Sequence, residues 1–278
     1  MIFFGATVPI SGCKKTVIHD TTVTTVHDTT IKAVHDTTIK KDSSYILTDG
    51  LVAYYNFNGG TLKDSSGYNN HITSNIDLAA TADRFGNAGN AYLFNGHTSF
   101  MKVPNSASLN PGSITIFAIV KVNGFSALGC SDMDVLVKGS PDPVNGLCLL
   151  RVADSAPCDG VSDSTHNFFG GAHGDNVPEG STSYANSDTA YIQKGTWYKV
   201  AYTYDGLVAK FYVNGVLKTT RVKSTVFTPN AQDLFIGRNE SSIFPYWFNG
   251  AIDEIRIYNR ALDQSAITRL YNFTSTAH

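Results

Sequence analysis

The sequence predicts an all-β sandwich of two antiparallel sheets, closed by one short carboxy-terminal helix and preceded by an extended amino-terminal stalk. Three observations predict it. Of 23 acidic residues, twenty are Asp and three are Glu (Glu179, Glu240 and Glu254); Asp and Gly favour turns, whereas Glu favours helix interiors. From Leu51 onward, short β-branched and aromatic runs alternate with Asn-Gly and Asp-Gly punctuation. Sixteen Phe, fourteen Tyr and 24 Gly in 278 residues supply a large core and the turns around it, which excludes wholesale disorder. The formal net charge of −2 leaves no basic footprint for nucleic acid. No apolar run reaches the ~18–20 residues of a membrane-spanning helix.

Met1 to Ile10 is apolar and uncharged, and Ser11-Gly12-Cys13-Lys14-Lys15 follows. An apolar run ending in small residues before a Cys has the form of a secretory signal and its cleavage site. Ile10-Ser11-Gly12-Cys13 resembles the bacterial lipobox, which implies cleavage before Cys13 and acyl chains on it. The basic residues of such a signal are missing ahead of the run, so an upstream start is the alternative. Next, Ile18-His19-Asp20-Thr21-Thr22, Val26-His27-Asp28-Thr29-Thr30 and Val34-His35-Asp36-Thr37-Thr38 recur every eight residues. An even period keeps each His on one side of an extended chain. The isolated Val and Ile are too sparse for a core, and β-branched Thr disfavours helix. His spaced this widely lacks the tight pairing of zinc sites and is read as solvated. Each Asp-Thr-Thr also resembles an O-glycosylation acceptor signal of one group of Gram-negative bacteria, which implies Thr21, Thr29 and Thr37 as acceptors. Residues 1–12 are thus read as a signal-peptide remnant, 13–49 as a lipidated Cys and stalk, and 50–278 as the domain.

Within the domain, strands are predicted at Leu51–Phe57, Ser113–Val122, Asp134–Lys138, Leu147–Val152, Leu234–Gly237 and Ala251–Tyr258. The clearest stretch is a meander, Trp197–Tyr204, Leu207–Val213 and Val216–Lys218, turning on Asp205-Gly206 and Asn214-Gly215. Both dipeptides suit two-residue type I′ turns. Asp263 is placed to N-cap a helix in which Ile267, Leu270 and Tyr271 share a face. Trp197 and most Phe read as core.

These residues resemble a known family. Leu51-Val52-Ala53-Tyr54-Tyr55-Asn56-Phe57 with Leu62-Lys63-Asp64-Ser65-Ser66-Gly67 is similar to the opening of bacterial laminin G-like, concanavalin A-like jelly-roll domains. Asp83-Arg84-Phe85-Gly86-Asn87-Ala88 with Tyr92-Leu93-Phe94-Asn95-Gly96 resembles their second block. Trp197–Gly215 resembles their central hairpin, and Phe248–Leu262 their closing strand and helix start. Four blocks in order over 51–272 imply a jelly roll. Gly129 to Ala190 departs from the pattern and holds what is individual to this chain. The resemblance further implies a structural Ca²⁺ near the Asp64-Ser65-Ser66-Gly67 turn, with help from Asp253. The alternative for Asp64 is an Asx-turn and for Asp253 a strand-end hydrogen bond.

Glycosidase chemistry needs two carboxyls flanking the scissile bond. Asp253 and Glu254 are adjacent on a predicted strand and so would face opposite sides; a glycoside hydrolase is therefore a minor alternative, and the chain is read as non-catalytic. Sugar faces stack on aromatic rings while planar amides and acids take the hydroxyls. Trp247 is the first candidate contact, with Tyr246, Phe168, His166 and Tyr184 beside it as further loop residues. Asp132, Asp134, Asp142, Asp159 and Asp163 read as solvated turns. With Cys13 lipidated, Cys130, Cys148 and Cys158 leave one disulfide with three possible pairings, or a buried free thiol at Cys148. The favoured function is a lipoprotein of the bacterial outer membrane, surface-exposed or periplasm-facing, binding a glycan or glycoprotein. The alternative partner is an outer-membrane protein complex, in which the chain would be a structural accessory subunit.

Overall fold

In the computed structural model, apolar residues of the long β-rich runs face a shared interior, and tight turns between them fall at Gly, Asn and Asp, as at Asn214-Gly215. The structure describes residues 47–125, 132–139, 146–153, 167–175, 185–186 and 192–275, apart from 223, 225 and 244. All belong to the second of two units along the chain, Leu47–His278. The expectations for Cys13, Thr21, Thr29 and Thr37 lie outside them.

The strands, in order, are β1 (Leu51–Tyr55), β2 (Ser74–Ile76), β3 (Ala79–Thr81), β4 (Ala91–Asn95), β5 (Phe100–Val103), β6 (Ile114–Val122), β7 (Met133–Lys138) and β8 (Leu147–Ala153). Then follow β9 (Phe168–Gly174), β10 (Ala185–Asn186), β11 (Trp197–Tyr204), β12 (Val208–Val213), β13 (Val216–Val222), β14 (Leu234–Ile236), β15 (Asn249–Tyr258) and helix α1 (Gln264–Phe273). The first sheet runs β13-β12-β11-β6-β15-β4-β3, with β1 also paired to β15; the second runs β10-β9-β8-β7-β14-β5-β2. Every pairing among the described strands is antiparallel. Between the sheets lie Tyr55, Phe57, Phe94, Phe169, Tyr202, Phe211 and Phe248, all buried. Burying a side chain of this kind stabilises the fold by about 1.5–3 kcal/mol.

The central meander forms as the sequence predicts, with one difference. Asn214 and Gly215 both take positive φ, 51° and 79°, as a type I′ turn demands. The first hairpin instead turns on Gly206-Leu207, one residue later than expected. Asp205 and Val208 flank it, Gly206 alone has positive φ (101°), and Asp205 Oδ1 accepts the N–H groups of Leu207 and Val208. Glycine first is the type II′ pattern. Asp263 caps α1 as expected, its carboxylate accepting the Ala266 N–H at 2.8 Å. Helix α1 lies on the outer face of the first sheet: Lys199 Nζ donates to Tyr271 O and the Arg256 guanidinium sits over the Phe273 ring.

Candidate functional site

The outer face of the second sheet is built from the residues that alternate with the core. On β7, β8 and β9 the core takes Met133, Val135, Leu150, Val152 and Phe169, which sends Asp134, Arg151 and Phe168 outward. Further along, Val137, Leu149 and Ala172 form a buried apolar row that continues to the half-buried Phe235 on β14. Phe100, at the start of β5, lies 6.0 Å from Phe235.

Trp247 reaches this face because the segment after β14 folds back on itself. Asn239 N–H donates to Pro245 O, Phe248 N–H to Gly237 O, and Asp134 N–H to Tyr246 O. The indole then stands 6.1 Å from Phe100, and the Arg238 guanidinium lies 4.5 Å over it, held by the carbonyls of Asn239 and Ser241. The same guanidinium faces Phe100 and Phe235 at 5.3 and 5.9 Å, and its pKa is lowered by burial. Trp247, Phe100 and Phe235 are all half-buried, so each ring keeps an open portion.

Tyr246 extends the surface toward β8. Arg151 lies 4.9 Å over its ring and is ion-paired to Asp132 at 2.6 Å and Asp134 at 2.9 Å. Asp132 and Asp134 are therefore not solvated turn residues; Asp134 is fully buried, because the face that carries it needs a counter-charge for Arg151. Phe168 shares the face, two residues from Gly170, the residue that pairs with Arg151. The structure thus brings Trp247, Tyr246 and Phe168 to one sheet face. His166, Tyr184, Asp142, Asp159 and Asp163 lie outside the described residues. Phe100, Phe235 and Arg238 were missing from the sequence reading. Trp197, expected in the core, is half-buried on the other sheet with Lys121 Nζ 5.0 Å over its ring.

Asp64 and Asp253 sit in separate networks. Asp64 accepts four hydrogen bonds, from Tyr54 N–H, Ser66 N–H, Ser66 Oγ–H and Asn70 N–H, at 2.8–2.9 Å. That is an Asx-turn that also pins β1. Asp253 Oδ2 accepts the backbone N–H and Nη1 of Arg84 at 3.0 and 2.7 Å. Both Asp64 oxygens carry protein donors, Asp253 Oδ2 faces the Arg84 guanidinium, and the two networks share no residue, so this pair does not fit a shared Ca²⁺. No group of three or more His, Cys, Asp or Glu suited to a metal occurs among the described residues.

The expectation that Asp253 and Glu254 face opposite sides is corrected. β15 slips register between Ile252, opposite Val120, and Glu254, opposite Ile119, so Asp253 is the extra residue of a β-bulge. Ile252 and Ile255 face the core, and both acids face out. Arg84 lies 2.7 Å from Asp253 and 3.8 Å from Glu254, and Arg256 Nε donates to Glu254 Oε1. Burial raises the Asp253 pKa while Arg84 opposes it. Cys148 is a buried free thiol, pushed up to about 12 by burial; Cys13, Cys130 and Cys158 lie outside the described residues.

A family model described as "Concanavalin A-like lectin/glucanases superfamily" matches residues 95–268. The chain belongs to that superfamily. Among solved structures, this superfamily member is similar to domain 4 of AbnA, a GH43 extracellular arabinanase from Geobacillus stearothermophilus, in complex with arabinotriose. The identity is 26% and the TM-score 0.57, with 80% of this chain and 98% of that one covered. It is also similar to the binding domain of Paraclostridial Mosquitocidal Protein 1, at 17% identity and TM-score 0.60, covering 82% and 53% of the two chains. A botulinum neurotoxin type C structure, described with two interacting ganglioside molecules, shares 16% identity and a TM-score of 0.58, covering 81% and 51%. This chain spans about half the length of those two toxin chains, and the likeness there is one of fold. No curated protein sequence matches.

Proposed function

We propose that this chain is a non-catalytic glycan-binding module, its sugar contacts made by the outer face of the second sheet around Trp247. The observation that carries the reading is the grouping of Trp247, Phe100 and Phe235 about Arg238. Rigid aromatic faces lose little side-chain freedom on binding, take up the C–H faces of sugar rings, and are flanked by charged groups that accept and donate to hydroxyls. The arabinotriose-bound domain of similar fold supports the same ligand class. An arrangement with Cys13 lipidated and the 13–49 segment as a stalk would present this face at a bacterial outer membrane.

Glycan-array binding of the full chain tests the reading, with Trp247→Ala as its control. Binding by the parent that disappears in Trp247→Ala, at unchanged far-UV circular dichroism, supports it. Silence of the parent across the array, with co-purification of a membrane protein from native cells, would instead favour a structural subunit. Fractionation of Cys13→Ala tests the anchor separately: the variant is expected in the soluble fraction.

A further inference from the structure

On the opposite face of the sandwich, a pocket of about 220 Å³ opens beside the β15 bulge. Its floor is Asp253 and Glu254 with Arg84, its polar walls include Asn56, Asn58 and Asn87, and aromatic rings of Tyr54, Phe85 and Phe273 border it. The loop after β1 and the loop before β4 form the walls, and the Asn90 side chain joins them by accepting the Gly59 N–H at 2.8 Å.

The floor carries balanced charge. Arg84 and Arg256 offset Asp253 and Glu254, while the Asp83 carboxylate is taken up by the N–H groups of Phe85 and Asn87 and by the Asn87 carboxamide. Nothing there selects a free anion or cation. Hydrogen-bonding capacity nonetheless remains. Glu254 is buried, yet its Oε2 stands 3.8 Å from Arg84 Nη2, too far for a hydrogen bond. The Asn58 carboxamide and Asn56 Nδ2 make no hydrogen bond among the described residues, since Asn56 uses only its Oδ1, toward the Asn58 N–H. A carboxylate oxygen with spare capacity at the wall of an open pocket is completed by water or by a ligand hydroxyl.

We propose that this pocket binds a neutral, hydroxyl-rich ligand the size of one sugar ring. Paired acceptor and amide groups suit vicinal hydroxyls, and the exposed part of Phe85, whose other neighbour is the Arg84 guanidinium at 4.5 Å, offers an apolar wall. The volume is below the ~300–1,000 Å³ of clefts that take drug-sized ligands, so a single ring rather than an oligomer fits. The site lies on the other sheet from Trp247 and stands independently of the function proposed there.

Saturation-transfer NMR and titration of the full chain with D-glucose, D-galactose, D-mannose and L-arabinose test it. At least one sugar is expected to bind saturably. Asn58→Trp, which fills the mouth, is expected to weaken that binding at least tenfold at unchanged melting temperature, measured in a Trp247→Ala background so that the surface on the second sheet does not contribute. Should Asn58→Trp melt lower, Asn58→Ala must still weaken binding severalfold. Failure of all four sugars to bind, binding lost in Trp247→Ala alone, or binding retained in the Asn58 variants on that background would overturn the proposal.

Discussion

Arg84 places both its backbone N–H and its Nη1 on Asp253 Oδ2, at 3.0 and 2.7 Å, across 169 residues of sequence. The contact exists because the bulge in β15 turns Asp253 out of the strand's alternation and toward the loop before β4. Arg84 Nε also donates to Thr274 O at 2.8 Å, so one guanidinium joins a loop, a strand and the end of α1.

Removing one partner of this pair strands the other in a buried setting. Asp253→Ala is expected to destabilise the domain by about 3–5 kcal/mol, and Arg84→Ala by a similar amount. The double variant should lose clearly less than the sum, because the second substitution removes the orphaned charge. Urea unfolding of the four proteins reads this directly; additive losses would mean that the pair is not coupled.

Asp64 is the second buried carboxylate whose removal should be costly. Its four donors include two backbone N–H groups from the turn and one from β1. Hydrogen bonds to a charged group contribute about 1.5–3 kcal/mol each at most, so Asp64→Ala is expected to cost about 3 kcal/mol or more. The same saturation predicts that millimolar calcium, or a chelator, leaves the thermal midpoint of the parent unchanged. A rise in the midpoint with calcium would show that the Asp64 turn opens to a cation.

Asp205 should shape the acid limb of stability. The N–H groups of Val208 and Leu207 hold its carboxyl below the ordinary value of 3.8. A group depressed in the folded state contributes stability that is present above its unfolded pKa and lost as pH falls through the folded one. Asp205→Asn is therefore expected to flatten the stability decline below about pH 4, and to leave the slope near neutrality unchanged. Asp253 carries the opposite sign: burial raises its pKa, so its contribution declines as pH rises from 3.8 toward its folded value. Denaturant midpoints between acid and neutral pH measure both.

Much of the fold was legible because period-two alternation and turn dipeptides act locally. The meander, the cap at Asp263 and the long strands at β6 and β15 follow from neighbours within a few residues. The bulge left a signal that strict alternation passes over: Ile252 and Ile255 both face the core three residues apart, where an unbulged strand would space them by an even number. The shift of the first hairpin to Gly206-Leu207 had a local signal, the Asp205 carboxylate preceding a glycine, which favours a side-chain-closed turn. Trp247 and Tyr246 were readable as loop aromatics. Their neighbours Phe100, Phe235 and Arg238 come from separate elements, and only the pairing of β5, β7 and β14 brings them together. Asp134 likewise sits in an Asp-rich stretch that locally suits a solvated turn, and only its pairing opposite Arg151 on β8 makes it a buried ion-pair partner.

The Trp247 surface has a spectroscopic consequence that can be checked without any ligand. Trp197 and Trp247 are the two tryptophans of the chain, so Trp197→Phe leaves emission from Trp247 alone. The Arg238 guanidinium at 4.5 Å covers one face of that indole, a contact contributing about 0.5–2 kcal/mol according to its desolvation. Removing it in Arg238→Ala uncovers the ring to water, and the emission maximum is expected to move to longer wavelength with a small loss of stability. Arg238→Lys restores charge without the planar stack and should fall between the two. A glycan that stacks on the freed edge should then move the emission back. Identical spectra before and after the Arg238→Ala substitution would mean that the stack does not persist in solution, and the surface would lose the preorganisation that makes it a sugar platform.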